Sequence, residues 1–122
     1  MDNPYKLEDL YPEGFGKKML KKVRRAVELG GAYMDGRSPD WLDIVDLDRL
    51  DLDTVNDCIM GQVLGQFAYS QEMKRRGMRW IVRHGFLDER IELLTQAWRE
   101  YIYDRRAYEA LRVTVTREEG DD

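Results

Sequence analysis

The chain has 122 residues, enough for one domain around one hydrophobic core; 43% of them are hydrophobic and 36% charged. No apolar run approaches the roughly 20 residues that span a bilayer. One cysteine leaves no internal disulfide and fits a reducing cytoplasm, and a net charge of −4 argues against general adhesion to nucleic acid.

Residues 1–15, "MDNPYKLEDLYPEGF", read as an arm. They are acidic and lack the apolar core of a signal peptide. Pro4, Pro12, Gly14 and the following Gly16 break any helix, while Tyr5, Leu7, Leu10, Tyr11 and Phe15 offer more apolar anchors than a disordered tail carries. Packing of the arm against the body is expected. A first long helix is predicted from about Lys17 to Tyr33, because Phe15, Met19, Val23, Val27 and Gly30 fall on one stripe with Leu20, Ala26 and Met34 beside it. Gly30 and Gly31 should end or kink it. In "RSPDWLDIV" Ser38 suits an N-cap, Pro39 a first helical position and Asp40 the positive helix end, so a short helix carrying Trp41, Leu42, Ile44 and Val45 follows.

"DLDRLDLD" alternates leucine with aspartate, but Asp is poor in strands, and an irregular or 3₁₀ connection is expected there. Asp51 or Asp53 should then cap a second long helix over about 54–70. Val55, Ile59, Val63 and Phe67 recur along it at every fourth residue, the most regular stripe in the chain. Gly77 interrupts, a short helical piece around Arg79–His84 follows, and Gly85 is suited to close it. The last long helix begins near Asp88, with Leu87, Ile91, Leu94, Trp98 and Ile102 as its stripe and Tyr101, Tyr108 and Leu111 extending it. "RVTVT" has β character and reads as a frayed end or a small edge strand.

Three of these pieces, "LDLDTVNDCIMGQVLGQF", "RHGF" and "LLTQAWREYIYDRR", carry a resemblance. They contain Leu52–Asp53, then Cys58–Ile59–Met60–Gly61–Gln62–Val63–Leu64–Gly65, then His84–Gly85–Phe86, then Leu94–Thr95–Gln96–Ala97–Trp98–Arg99. The pattern resembles a group of small uncharacterised proteins encoded by actinobacteriophages and their relatives, over about residues 30–106. The resemblance implies a phage origin, and with it the cytoplasm of a bacterial host. It brings no activity.

The candidate chemistries are few. An EF-hand counted from Asp46 needs Gly at its sixth position and Glu at its twelfth; Asp51 and Asp57 stand there. The aspartates are therefore expected to be solvated or capping. Cys58 lies near a helix start, which would favour a thiolate, but Asp53 and Asp57 oppose it, and a lone cysteine among Val55, Ile59 and Met60 reads as packing. One Cys and one His are too few for zinc. Gly61 and Gly65 would let a helix or an aromatic ring approach, with Trp41, Trp80 and Trp98 as candidates. His84, just before Gly85, should bond nearby carbonyls at a helix end.

Charge supplies the clearest functional signal. "KKMLKKVRR" (17–25) holds six cations and no anion, whereas residues 35–57 hold eight Asp against two Arg. Such segregation serves an external partner or is satisfied within the molecule. The candidate partner-binding residues are Lys17, Lys18, Lys21, Lys22, Arg24 and Arg25, with a second basic patch at Lys74, Arg75, Arg76, Arg79 and Arg83. The expected fold is all-α: a compact bundle of three longer and two short helices (16–112) with the N-terminal arm (1–15) and an acidic C-terminal tail (113–122). The expected function is non-catalytic: binding of a host or phage protein, without metal, cofactor or membrane. The alternative is a small helical DNA-binding regulator.

Overall fold

Helices are the only regular elements in the computed structural model, which describes residues 2–10 and 16–120, with 113–120 as backbone alone. Tyr11, Pro12, Gly14 and Phe15, assigned above to the arm, lie outside the described residues. The all-α expectation holds: seven helices occur among the described residues. No helix among the described residues is long and apolar enough to cross a membrane.

The arm packs as expected. Its one helical turn, α1 (Leu7–Leu10), buries Leu7 completely. Asn3 is also buried, and its amide donates to the Glu100 carbonyl at 2.9 Å. Helix α2 spans Lys17–Arg37. It runs through Gly30 and Gly31 without ending, contrary to expectation, because rings fill the space that side chains would take. A Cβ built at Gly30 would lie 2.8 Å from the Trp98 ring, and one at Gly31 2.6 Å from Cζ of Tyr101. Two glycines cost a helix about 1 kcal/mol each relative to alanine, and the burial of large rings against them offsets that.

Pro39 disfavours helical backbone at the preceding residue, so α2 stops at Ser38. Ser38 is thus the C-cap of α2 rather than the N-cap of the next helix; its N–H donates to the Met34 carbonyl. Helix α3 is Trp41–Ile44, with Asp40 before it and Trp41 fully buried.

The predicted helix over 54–70 is the largest correction. Residues 51–57 are turns, closed by Asp51 N–H on the Asp57 carbonyl at 3.2 Å. Three short helices follow: α4 (Ile59–Leu64), α5 (Gln66–Arg76) and α6 (Met78–Arg83). The breaks are Gly65 (φ 91°, ψ 161°) and Gly77 (φ 83°, ψ 166°). That backbone region is open to essentially glycine alone. Each break re-phases the stripe: Ile59 is fully buried, but Phe67, the next-but-one member, is 76% exposed.

Helix α7 (Ile91–Gly120) carries the predicted stripe, with Leu94, Trp98 and Ile102 buried. It continues through 113–120, where a frayed end or edge strand was expected. Its Tyr108 and Leu111 are exposed, so the stripe stops being core after Ile102. The core centres on Trp98, which meets Trp41 edge-on at 5.9 Å and stacks on Phe86 at 5.6 Å. Its indole N–H donates to the Gly85 carbonyl at 2.6 Å. Gly85 closes α6 in the left-handed conformation (φ 73°), as its place after His84 predicts.

Candidate partner-binding surface

Successive residues of an α-helix turn by about 100°. On α2 this gathers Lys17, Lys18, Lys21, Lys22 and Arg25 into an arc of roughly 140°, while the buried Leu20, Val23, Val27, Gly30, Gly31 and Met34 occupy roughly 100° on the opposite side. The lysines are exposed. None of them makes an ion pair among the described residues. Arg25 is exposed and only loosely paired with Glu28, at 3.5 Å.

Arg24 stands apart. It falls at the edge of the buried arc and is spent inside the molecule. Its guanidinium donates to Glu100 at 2.8 and 2.9 Å and to Glu8 at 2.8 Å. Glu100 and then Glu8 raise its pKa, despite partial burial. Glu100 also accepts the Leu7 N–H at 2.9 Å. Arg24, grouped above with the partner-facing cations, is therefore the clamp between arm, α2 and α7.

The second basic patch divides in the same way. Lys74, Arg75, Arg79 and Arg83 are exposed. Arg76 is bound to Glu72 at 2.8 Å and lies 4.5 Å over the Trp80 ring, pinning α5 to α6. Glu72 is buried. Burial pushes its carboxyl up, but the hydrogen bond and the charge of Arg76 outweigh that, and its pKa is lowered. Arg83, distant in sequence from α2, comes beside Lys22 and Arg25 at the rim of one groove between α2 and the α6–α7 connection.

The aspartates of 46–57 do not pair with the α2 lysines. They close their own turns: Asp46 accepts from Asp48 N–H at 2.9 Å, and Asp51 from Asp53 N–H at 2.9 Å and the Thr54 hydroxyl at 3.1 Å. Asp57 pairs with Arg49 at 2.9 Å. Sequence reasoning missed the residues that hold this segment down. Arg99 donates to the Leu47 and Leu50 carbonyls, and Arg106 to those of Leu42 and Val45. The run "REYIYDRR" marks one face of α7 as cation-rich, but backbone carbonyls far along the chain leave no sequence signal.

The cap of α4 is Cys58 itself, not Asp51 or Asp53. Its Sγ accepts from Gly61 N–H and donates to the Val55 carbonyl, both at 3.3 Å. Close approach at Gly61 is made by this local turn: a Cβ there would sit 2.7 Å from the Val55 carbonyl carbon. The tryptophans lie elsewhere. Cys58 is 4% exposed, and burial pushes its thiol pKa up. Native protein is expected to react with a thiol reagent at least about tenfold more slowly than denatured protein; equal rates would reopen a reactive role. His84 bonds the Trp80 carbonyl through Nδ1 at 2.8 Å and stacks on that ring, the helix-end role expected of it.

No family model, curated protein or solved structure matches the chain.

Proposed function

We propose that the protein acts by binding an acidic surface of another protein through the lysine face of α2, without catalysis. One observation carries this: Lys17, Lys18, Lys21 and Lys22 are exposed and lack ion pairs among the described residues, while the neighbouring Arg24 is engaged by Glu8 and Glu100. Lysines needed to neutralise the aspartate segment would lie against it, and that segment's cation is Arg49 instead. The two groups with nucleophile or base chemistry singled out in the sequence, Cys58 and His84, are each engaged by backbone at a helix end. The resemblance to actinobacteriophage proteins supports a host or phage protein as the partner, met in the bacterial cytoplasm.

Reversing Lys18, Lys21 and Lys22 together to Glu tests this. Exposed charges contribute under about 1 kcal/mol per pair to folding, so melting should stay nearly unchanged. Exposed charges do steer association, more weakly as salt rises. Capture of the partner recovered from an actinobacterial lysate should therefore fall at least about tenfold at low salt. A variant that melts far below the wild type would make these lysines structural. A salt-sensitive gel shift with duplex DNA, lost in the triple variant, would favour the DNA-binding alternative.

A further inference from the structure

The groove between α2 and the α6–α7 connection encloses about 360 Å³, at the lower end of the roughly 300–1,000 Å³ of ligand sites. Its floor is apolar: Val23 and Leu94 are 3% and 1% exposed. Ala26 and Leu29 form the α2 wall, and Val82, 43% exposed, forms the opposite lip. Three cations stand around it: Lys22 and Arg25 from α2, and Arg83 from the end of α6. The one carboxylate at the rim, Asp88, is occupied; it accepts the Arg90 N–H at 2.8 Å and lies 3.5 Å from the Arg90 guanidinium. An apolar slot flanked by Lys22 and Arg83, which make no ion pair among the described residues, and by Arg25, held only loosely by Glu28 at 3.5 Å, complements an anionic partner that also carries an apolar group.

We infer that this groove receives one large apolar side chain from an acidic peptide segment of the partner, with Lys22, Arg25 and Arg83 meeting the flanking carboxylates. The inference rests on the α2 face being a partner surface and adds what the partner must present there. The volume suits one anchor side chain rather than a row of them. Buried apolar anchors supply affinity, whereas rim charges mainly set encounter rate and orientation.

The test uses the whole protein and synthetic fluorescein-labelled dodecapeptides read by anisotropy. One peptide is glutamate-rich with a central leucine. A second replaces that leucine by glutamine, and a third replaces the glutamates by lysine. The first should bind, and the second and third should bind at least tenfold more weakly. Val82→Glu, at an exposed position, should weaken the first peptide at least tenfold without lowering the melting temperature. Lys22→Glu with Arg83→Glu should do the same.

If the first two peptides bind equally and Val82→Glu changes nothing, the groove inference fails. The lysine-face proposal survives that result if the triple lysine reversal still lowers partner capture, and both fail if it does not. Absence of binding by any acidic peptide also overturns the groove inference. So does binding of phosphatidylglycerol vesicles or duplex DNA that Val82→Glu abolishes, since the groove would then serve a different class of partner.

Discussion

Gly30→Val is expected to lower the melting temperature by roughly 10 °C or more, while Gly36→Ala in the same helix should leave it unchanged or raise it slightly. Both positions are helical glycines in α2, so propensity alone predicts a gain at each, of up to about 1 kcal/mol for alanine. The surroundings reverse the sign at Gly30. A Cβ there runs into the His84 carbonyl oxygen and comes within 2.8 Å of the Trp98 ring. The carbonyl belongs to backbone held by Gly85 and Phe86, and Trp98 is wedged between Trp41 and Phe86, so neither can retreat cheaply. Overpacking of this kind typically costs about 1–3 kcal/mol, and valine adds branching. At Gly36 a Cβ meets nothing within 4 Å. Calorimetry on the two variants decides it: a Gly30→Val protein melting with the wild type would mean that α2 and α7 can part without loss.

Glu100→Ala is expected to cost about 2–3 kcal/mol and to release the N-terminal arm. Glu100 is 8% exposed and serves two elements at once, accepting from Leu7 N–H and from Arg24. Truncation strands a buried backbone donor, worth about 1–3 kcal/mol. Breaking a buried ion pair costs more, about 3–5 kcal/mol. Here the figure is reduced, because Arg24 is partly exposed and keeps Glu8. Glu100→Gln retains one acceptor and should cost less. Limited proteolysis gives the second readout: cleavage within 2–10 should precede global unfolding in Glu100→Ala. If it appears only with global unfolding, the arm is held by Leu7 and Asn3 rather than by the carboxylate.

The helices were legible where the determinants are local. The stripes on α2 and on the first part of α7, the stop at Gly85 and the burial of Cys58 all follow from neighbours within a few residues. The errors share a cause. Gly65 takes a backbone conformation that no neighbouring residue demands, so Phe67 continued the periodicity on paper and points to solvent in the fold. Gly30 and Gly31 read as weak points because Trp98 and Tyr101, which need their absent side chains, lie far along the chain. Among the cations the same limit applies. Lys22, Arg24 and Arg25 look alike in sequence; Glu8 and Glu100 decide that Arg24 is a clamp, while Arg83 joins the other two at a groove that exists only once α6 has packed beside α2.

The clamp also sets a schedule during synthesis. Leu7 N–H and the Glu100 carboxylate are 93 residues apart, so at about 5–20 residues per second the arm waits roughly 5–20 s for its acceptor to be made. Throughout that interval Leu7 and the inward face of α2 have no α7 to cover them. A nascent chain stalled before residue 100 should therefore be a substrate for chaperones that hold exposed apolar segments, and release of the chaperone should coincide with emergence of α7. Slow translation across residues 91–102 would lengthen the exposure, which makes codon choice in that stretch a determinant of soluble yield.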